Sequence, residues 1–199
     1  MTVDARLVEA FREQLRRRPD AGRVRWKLGI GERERLGGIA LGNLTAATLL
    51  EPGSVYDSDG AQLHADAEIA LRIGTDGEID AYAPALELVD LSGAQDDPFW
   101  AIVENVFHRA VAFGPWTGDL PAGLDGTLLV NGEARRSTAA SADLEERVDD
   151  ARRVLETAGE RLEPGDQLIT GNIVQVPVVA GDTVEADLGA LGSVSVEIG

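Results

Sequence analysis

The sequence predicts an α+β chain, rich in short strands, with two or three helices packed on it. Apolar and polar residues alternate in many short runs, while two longer segments repeat apolar residues at helical spacing. Between the runs stand turn pairs such as Asp76-Gly77, Asn131-Gly132 and Gly181-Asp182. At 199 residues with 44% hydrophobic content, the chain is expected to form a single domain able to bury a substantial core. Residues 1–22 read as an N-terminal helical segment and 23–199 as a β-rich core.

Residues 4–18 are expected to be helical, with Asp4 as cap and Leu7, Val8, Phe11 and Leu15 as an apolar stripe. Arg16, Arg17 and Arg18 suit the negative end of the helix dipole, and Pro19 stops it. From Val24 to Gly31 a strand places Val24, Trp26, Leu28 and Ile30 on one face and Arg25 and Lys27 on the other. Glu32 to Arg35 fits a helical turn, broken at Gly37-Gly38. After turns at Pro52-Gly53 and Asp59-Gly60, the strand His64–Leu71 turns Ala65, Ala67, Ile69 and Leu71 to the core. A second strand, Ala83 to Val89, follows the Asp76-Gly77 turn and carries Glu87 between leucines.

Asp96-Asp97-Pro98 is a helix start, with Phe99, Ile102, Val103, Val106 and Ala110 as the buried stripe and His108 as a capping or dipole-matched residue near its end. Thr127 to Val130 is a short strand closed by Asn131-Gly132. Asp143 and Glu146 form a capping-box pattern ahead of a helix over 144–158, which Gly159 closes. Four strands finish the chain, at 166–171, 174–179, 183–188 and 194–198.

Composition removes several functions. The chain has 35 acidic and 18 basic residues, a net charge of -17, which argues against nucleic acid and anionic membranes as partners. There is no cysteine, so disulfides, thiolate zinc, iron–sulfur clusters and thiol nucleophiles are excluded. With no apolar run of spanning length and a charged amphipathic N-terminus, the expected location is the cytoplasm. Two histidines leave oxygen as the main ligand for any metal.

His64, Asp66 and Glu68 share the strand face opposite the core residues. Neighbouring carboxylates on one face repel unless water or a cation screens them, and a hard divalent cation prefers carboxylate oxygens. The other reading is a solvated acidic edge. Glu87 divides in the same way, since an isolated carboxylate in an apolar strand costs several kcal/mol to bury unless it is paired. Either it faces water from an edge strand or it has a buried partner. Lys27 is a surface lysine unless it points into the cavity that holds the acids.

The ordered set Lys27-Leu28-Gly29-Ile30, Ala67-Glu68-Ile69-Ala70, Pro84 to Val89, Leu162 to Gly171, Ala180-Gly181-Asp182 and Leu191 to Val194 resembles the 2-keto-4-pentenoate hydratase family of the fumarylacetoacetate hydrolase superfamily. The resemblance runs from about Arg25 to the C-terminus. It implies a mixed β-barrel or β-roll with flanking helices, homo-oligomers and a role in aromatic catabolism. It also implies Mg²⁺ or Mn²⁺ on Asp66, Glu68 and Glu87, with Lys27 as the catalytic group in the same pocket. The implied partner is a small 2-oxo acid and the implied activity a metal-dependent hydratase. Decarboxylation, acylpyruvate hydrolysis and a non-catalytic ligand-binding homologue are the alternatives. Arg25, Asn105 and His64 are candidate substrate-binding residues, His64 being the histidine available for hydrolysis. Two departures matter: Asp66 stands where the family usually has Glu, and Ala47 where it has a catalytic aspartate.

Overall fold

The structure, a computed structural model, describes residues 3–17, 25–29, 36, 38–94, 96–140 and 143–199. Arg18, Pro19, Val24, Ile30, the expected turn at 32–35 and the side chain of Arg25 lie outside the described residues. The chain begins with α1 (Ala5–Arg17), β1 (Arg25–Gly29), β2 (Ala40–Leu44), β3 (Leu49–Leu50), β4 (Val55–Tyr56), β5 (Leu63–Ile73) and β6 (Ile79–Asp90). It continues with α2 (Pro98–Val103), β7 (His108–Phe113), β8 (Asp125–Val130), β9 (Glu133–Ala139) and α3 (Leu144–Ala158). The final strands are β10 (Gln167–Ile169), β11 (Val174–Pro177), β12 (Thr183–Asp187) and β13 (Ser193–Ile198).

Two sheets hold these strands. The first, a curled half-barrel, has the order β2-β1-β10-β5-β6-β7-β3, and the second β4-β13-β12-β8-β9. Pairing is mixed: β1 with β10 and β3 with β7 are parallel, whereas β5, β6 and β7 are antiparallel neighbours. One edge of β5 is divided between two partners. There β10 pairs with residues 70–72 and β11 with residues 64–67, and the chain crosses between them at 170–173. The crossing is tied down by Thr170 N–H on Ile69 O at 3.2 Å and Ile173 N–H on Ala67 O at 2.9 Å.

The main core lies between the sheets and under the helices. Ala65, Ala67, Ile69 and Leu71, the predicted inward face of β5, are buried there with Leu128, Val184, Ala186 and Val196. Helix α1 packs on α2 and α3, and its Phe11 ring lies 5.8 Å from that of Trp26. Asp4 caps α1 through Oδ1, which accepts from Arg6 N–H at 2.8 Å. The opposite face of β5 is also covered. At one end Ala70, Ala83, Ala85, Val111 and Ile169 form a small apolar cluster, and at the other end are the carboxylates. This strand is buried on both faces, so the reading of its acids as a solvated edge does not apply.

Three local expectations change. The helix opened by Pro98, with Asp97 Oδ1 accepting from Phe99 N–H at 3.0 Å, ends at Val103 and does not reach Ala110. Asn105, Val106 and Phe107 then adopt left-handed backbone, at φ of 57°, 51° and 62°, and His108 starts β7. The apolar spacing of 108–113 serves a strand between β6 and β3, so sheet pairing overrides the helical pattern. Asn131 and Gly132, at φ of 55° and 79°, form a tight turn into β9, a fully exposed edge strand with no apolar face to announce it. At α3 the Asp143 carboxylate makes no cap hydrogen bond; its Oδ1 accepts from Arg147 Nε at 2.9 Å.

Candidate metal centre

Strand register brings the acids together. Asp66 on β5 is directly opposite Glu87 on β6, and Glu68 follows two residues along the same face. Strand β6 is central in the sheet, so Glu87 has no route to water and is fully buried, as is Glu68. One carboxylate oxygen from each of Asp66, Glu68 and Glu87 lies within 4.8 Å of the others. Asp66 Oδ1 and Glu68 Oε1 are buried and have no hydrogen-bond partner among the described residues.

Basic groups converge on only one of the three. Lys27 Nζ, also buried, ion-pairs with Glu87 Oε2 at 2.7 Å and donates to Val106 O at 2.9 Å. His108 Nδ1 lies 2.7 Å from Glu87 Oε1, and its Nε2 lies 3.0 Å from Thr48 Oγ1. Burial keeps His108 below its usual pKa, although Glu87 pulls it up, so the ring is neutral at pH 7. A neutral ring with Nδ1–H donating to Glu87 accepts at Nε2 from the Thr48 hydroxyl. Burial works against the Glu87 charge, but Lys27 and His108 outweigh it and hold the carboxyl below its usual range.

The other two acids are pushed the opposite way. Burial first, and then the Glu87 charge, raise Asp66 from 3.8 to about 7. The same causes raise Glu68 well above the usual carboxylate range, against the pull of Lys27 and of the Gly171 N–H that donates to Glu68 Oε2 at 2.8 Å. With all three carboxylates ionised, one ammonium leaves two negative charges uncompensated in a buried pocket, and a divalent cation would balance them in place of the protons that burial otherwise favours. The partnerless oxygens of Asp66 and Glu68 are the donors such an ion requires, so the residues present fit one.

A cavity of about 150 Å³ opens beside the acids and is lined by Lys27, Asp66, Glu68, Phe107, Asn172 and Gln175 among others. Its remaining wall is largely apolar, from Leu28, Val89, Leu91 and Val106. No protein-family model matches the chain, and no curated protein sequence matches it either. Solved structures do. The 4-oxalocrotonate decarboxylase of Pseudomonas putida G7, complexed with magnesium and adipate, superposes with a TM-score of 0.84 at 22% identity, covering 96% of this chain and 86% of that one. The fold is that of the fumarylacetoacetate hydrolase superfamily. The same fold relates the chain to 5-carboxymethyl-2-hydroxymuconate delta-isomerase of Mycobacterium smegmatis, at TM-score 0.67, 20% identity and coverage of 90% and 80%. Fumarylpyruvate hydrolase of Pseudomonas aeruginosa, in complex with Mn²⁺ and pyruvate, gives 0.63 at 18% identity, covering 88% and 89%.

Within this fold, Lys27, Asp66, Glu68 and Glu87 are brought together, and His64 and Asn105 do not join them. His64 is half-buried with a partnerless Nδ1 and does not line the cavity. The Asn105 side chain does not line it either. Its Oδ1 accepts from Asn43 N–H at 2.7 Å and its Nδ2 donates to Asn43 O at 2.9 Å, so it clamps backbone to backbone. Ala47 is exposed on a short 3-10 turn, one residue from the Thr48 that reaches His108. His108 was missed because it sits in a run with helical spacing. Gln175 was missed too, although its strand places it directly opposite Asp66 on the far side from Glu87.

Proposed function

We propose that the chain is a metal-dependent lyase acting on small 2-oxo acids, with Mg²⁺ or Mn²⁺ held by Asp66, Glu68 and Glu87. The observation that carries this reading is the buried triad with two partnerless oxygens and, among the described residues, only one cationic side chain against it. When bound, the cation would act as a Lewis acid toward the adjacent carboxylate and 2-oxo oxygens of such a substrate. The likeness to enzymes complexed with magnesium, or with Mn²⁺ and pyruvate, supports it.

Lys27 does the proton work. Its Nζ is fixed by Glu87 and Val106 O and faces the cavity, so it holds positive charge beside an enolate and can deliver one proton to carbon. Phe107, Val106, Leu28 and Val89 keep water from the reacting carbons. With the acids committed as ligands, Lys27 is the one remaining titratable side chain among the described residues of the cavity lining. A single proton carrier suits decarboxylation. The bond to the departing carboxylate breaks, its electron pair enters the conjugated 2-oxo system, CO₂ leaves, and Lys27 protonates the carbon and is recharged from solvent. Hydration is the second reading, favoured by Asn172 and Gln175, two polar side chains in the lining able to hold a water. Incubating the protein with unsaturated 2-oxo acids, with Mn²⁺ and then with excess EDTA, tests both. CO₂ release identifies the first and water addition the second; turnover indifferent to EDTA overturns the metal reading.

A further inference from the structure

Across the 170–173 crossing from the metal-ligand cavity lies a second cavity of about 200 Å³, lined by Ile69, Leu144, Arg147, Thr170, Asn172 and Ile173 among others. Arg147 is buried on α3, an unusual place for a guanidinium, and it lines this second cavity, not the one beside the acids. Its Nε donates to Asp143 Oδ1, and its Nη1 donates to Thr170 O at 2.6 Å. The carbonyl of Thr170 and the N–H of Gly171 belong to one planar peptide unit. That N–H donates to Glu68 Oε2 at 2.8 Å. A cation on the oxygen end of a peptide draws electron density from its nitrogen end, which strengthens the N–H as a donor.

We propose that Arg147 is a positioning residue for the metal centre, acting on Glu68 through the Thr170–Gly171 peptide. This rests on the metal reading above and adds to it the residue that aims one ligand. The peptide can point only one way with Arg147 in place, since a reversed unit would turn its N–H toward the guanidinium. Gly171, at φ of 88°, supplies the left-handed backbone needed there. With one oxygen held by Gly171, Glu68 presents the other, the partnerless Oε1, for coordination. The Arg147 end of the relay does not stand out in the sequence: Asp143 and Arg147 are spaced like an ordinary surface pair on a helix.

The test is a double-mutant cycle with two readouts. The first is the Gly171 amide proton shift in the metal-free protein, and the second is Mn²⁺ affinity by calorimetry. Arg147→Gln should move the Gly171 amide upfield while the amides of Leu168 and Val174 stay in place, and Arg147→Lys should restore part of the shift. Mn²⁺ affinity should fall about tenfold with Arg147→Gln, the scale of an outer-shell ligand partner. In a Glu68→Gln background the same change should have no further effect. An unmoved Gly171 amide in a folded Arg147→Gln protein overturns the relay, as does an equal affinity loss in both backgrounds. If Arg147→Gln does not fold, the reverse direction decides. Glu68→Gln alone must shift the Arg147 guanidinium resonances, and a null result refutes the proposal. Wild-type protein that binds no Mn²⁺ overturns the metal reading, while the amide shift still decides the peptide relay by itself.

Discussion

At the residue scale, the three acids differ more in their partners than in their positions. Glu87 is neutralised within the protein by Lys27 and hydrogen-bonded by His108, whereas Asp66 and Glu68 are left for something else to neutralise. Glu68→Gln is therefore expected to weaken Mn²⁺ binding by more than the roughly 10–100-fold of an outer-shell partner while leaving it measurable by calorimetry, whereas Lys27→Met should leave binding within a few fold and lower kcat about 10²–10⁴-fold. Separate calorimetric and kinetic measurements check the split. Asp66 also gives the metal-free protein a pH signature. Its proton is held more tightly folded than unfolded, so its contribution to stability is complete below about pH 4 and is lost as pH rises toward about 7. The loss amounts to about 4 kcal/mol at most. Urea unfolding in EDTA should show Asp66→Asn gaining on the wild type between pH 5 and pH 8, and a gap that ignores pH would sink this assignment. The acids were legible because carboxylates in apolar strands are expensive unless paired. His108 was not, because a histidine inside an apolar repeat carries no mark of the strand it belongs to.

At the scale of elements, the turn between α2 and β7 is the unusual feature. Three successive non-glycine residues are left-handed, one of them the β-branched Val106, at a cost of about 1–2 kcal/mol each. The segment is held from several sides. Asn105 clamps Asn43, while Gln14 of α1 donates to Leu41 O at 2.8 Å and accepts from Asn43 Nδ2 at 3.0 Å. The clamp sets Val106 O against Lys27 and puts Phe107 in the cavity wall. Asn105→Ala strands the Asn43 backbone groups and is expected to cost about 1–3 kcal/mol, with KM rising more than kcat falls. Thermal unfolding and steady-state kinetics measure both. Gly42→Ala should act on the same joint, since a Cβ there would meet Asn105 Oδ1 at 3.1 Å and Lys27 Cβ at 3.3 Å. Sequence reading found the start of α2, because Asp97 and Pro98 are local signals. It missed the end, because only the partners of β7 decide it, and it passed over β9, because an exposed edge has no pattern.

For the whole molecule, two sheets and a helical layer enclose a pocket whose charges do not balance on their own. A divalent ion added at about a hundred times its Kd should stabilise the fold by about 2.7 kcal/mol and raise Tm by several degrees. EDTA should reverse the shift and Glu68→Gln should show far less of it at the same ion concentration; scanning calorimetry with Mg²⁺ and Mn²⁺ is the measurement. The α+β class and most strands could be read from alternation and turn pairs, but the strand order could not. Nothing in the local pattern says that β10 and β11 share one edge of β5, and that sharing puts Gly171 on Glu68.

The divided edge has a consequence for how this chain tolerates change in length. Residues 170–173 join two strands that are each independently registered on β5, so one extra residue would leave both seated and be absorbed in the crossing alone. Such an insertion would yield a well-folded protein with its ligand carboxylates unaltered and its activity gone. Among variants of this sequence, a gap at that crossing would be more telling than most substitutions in the core.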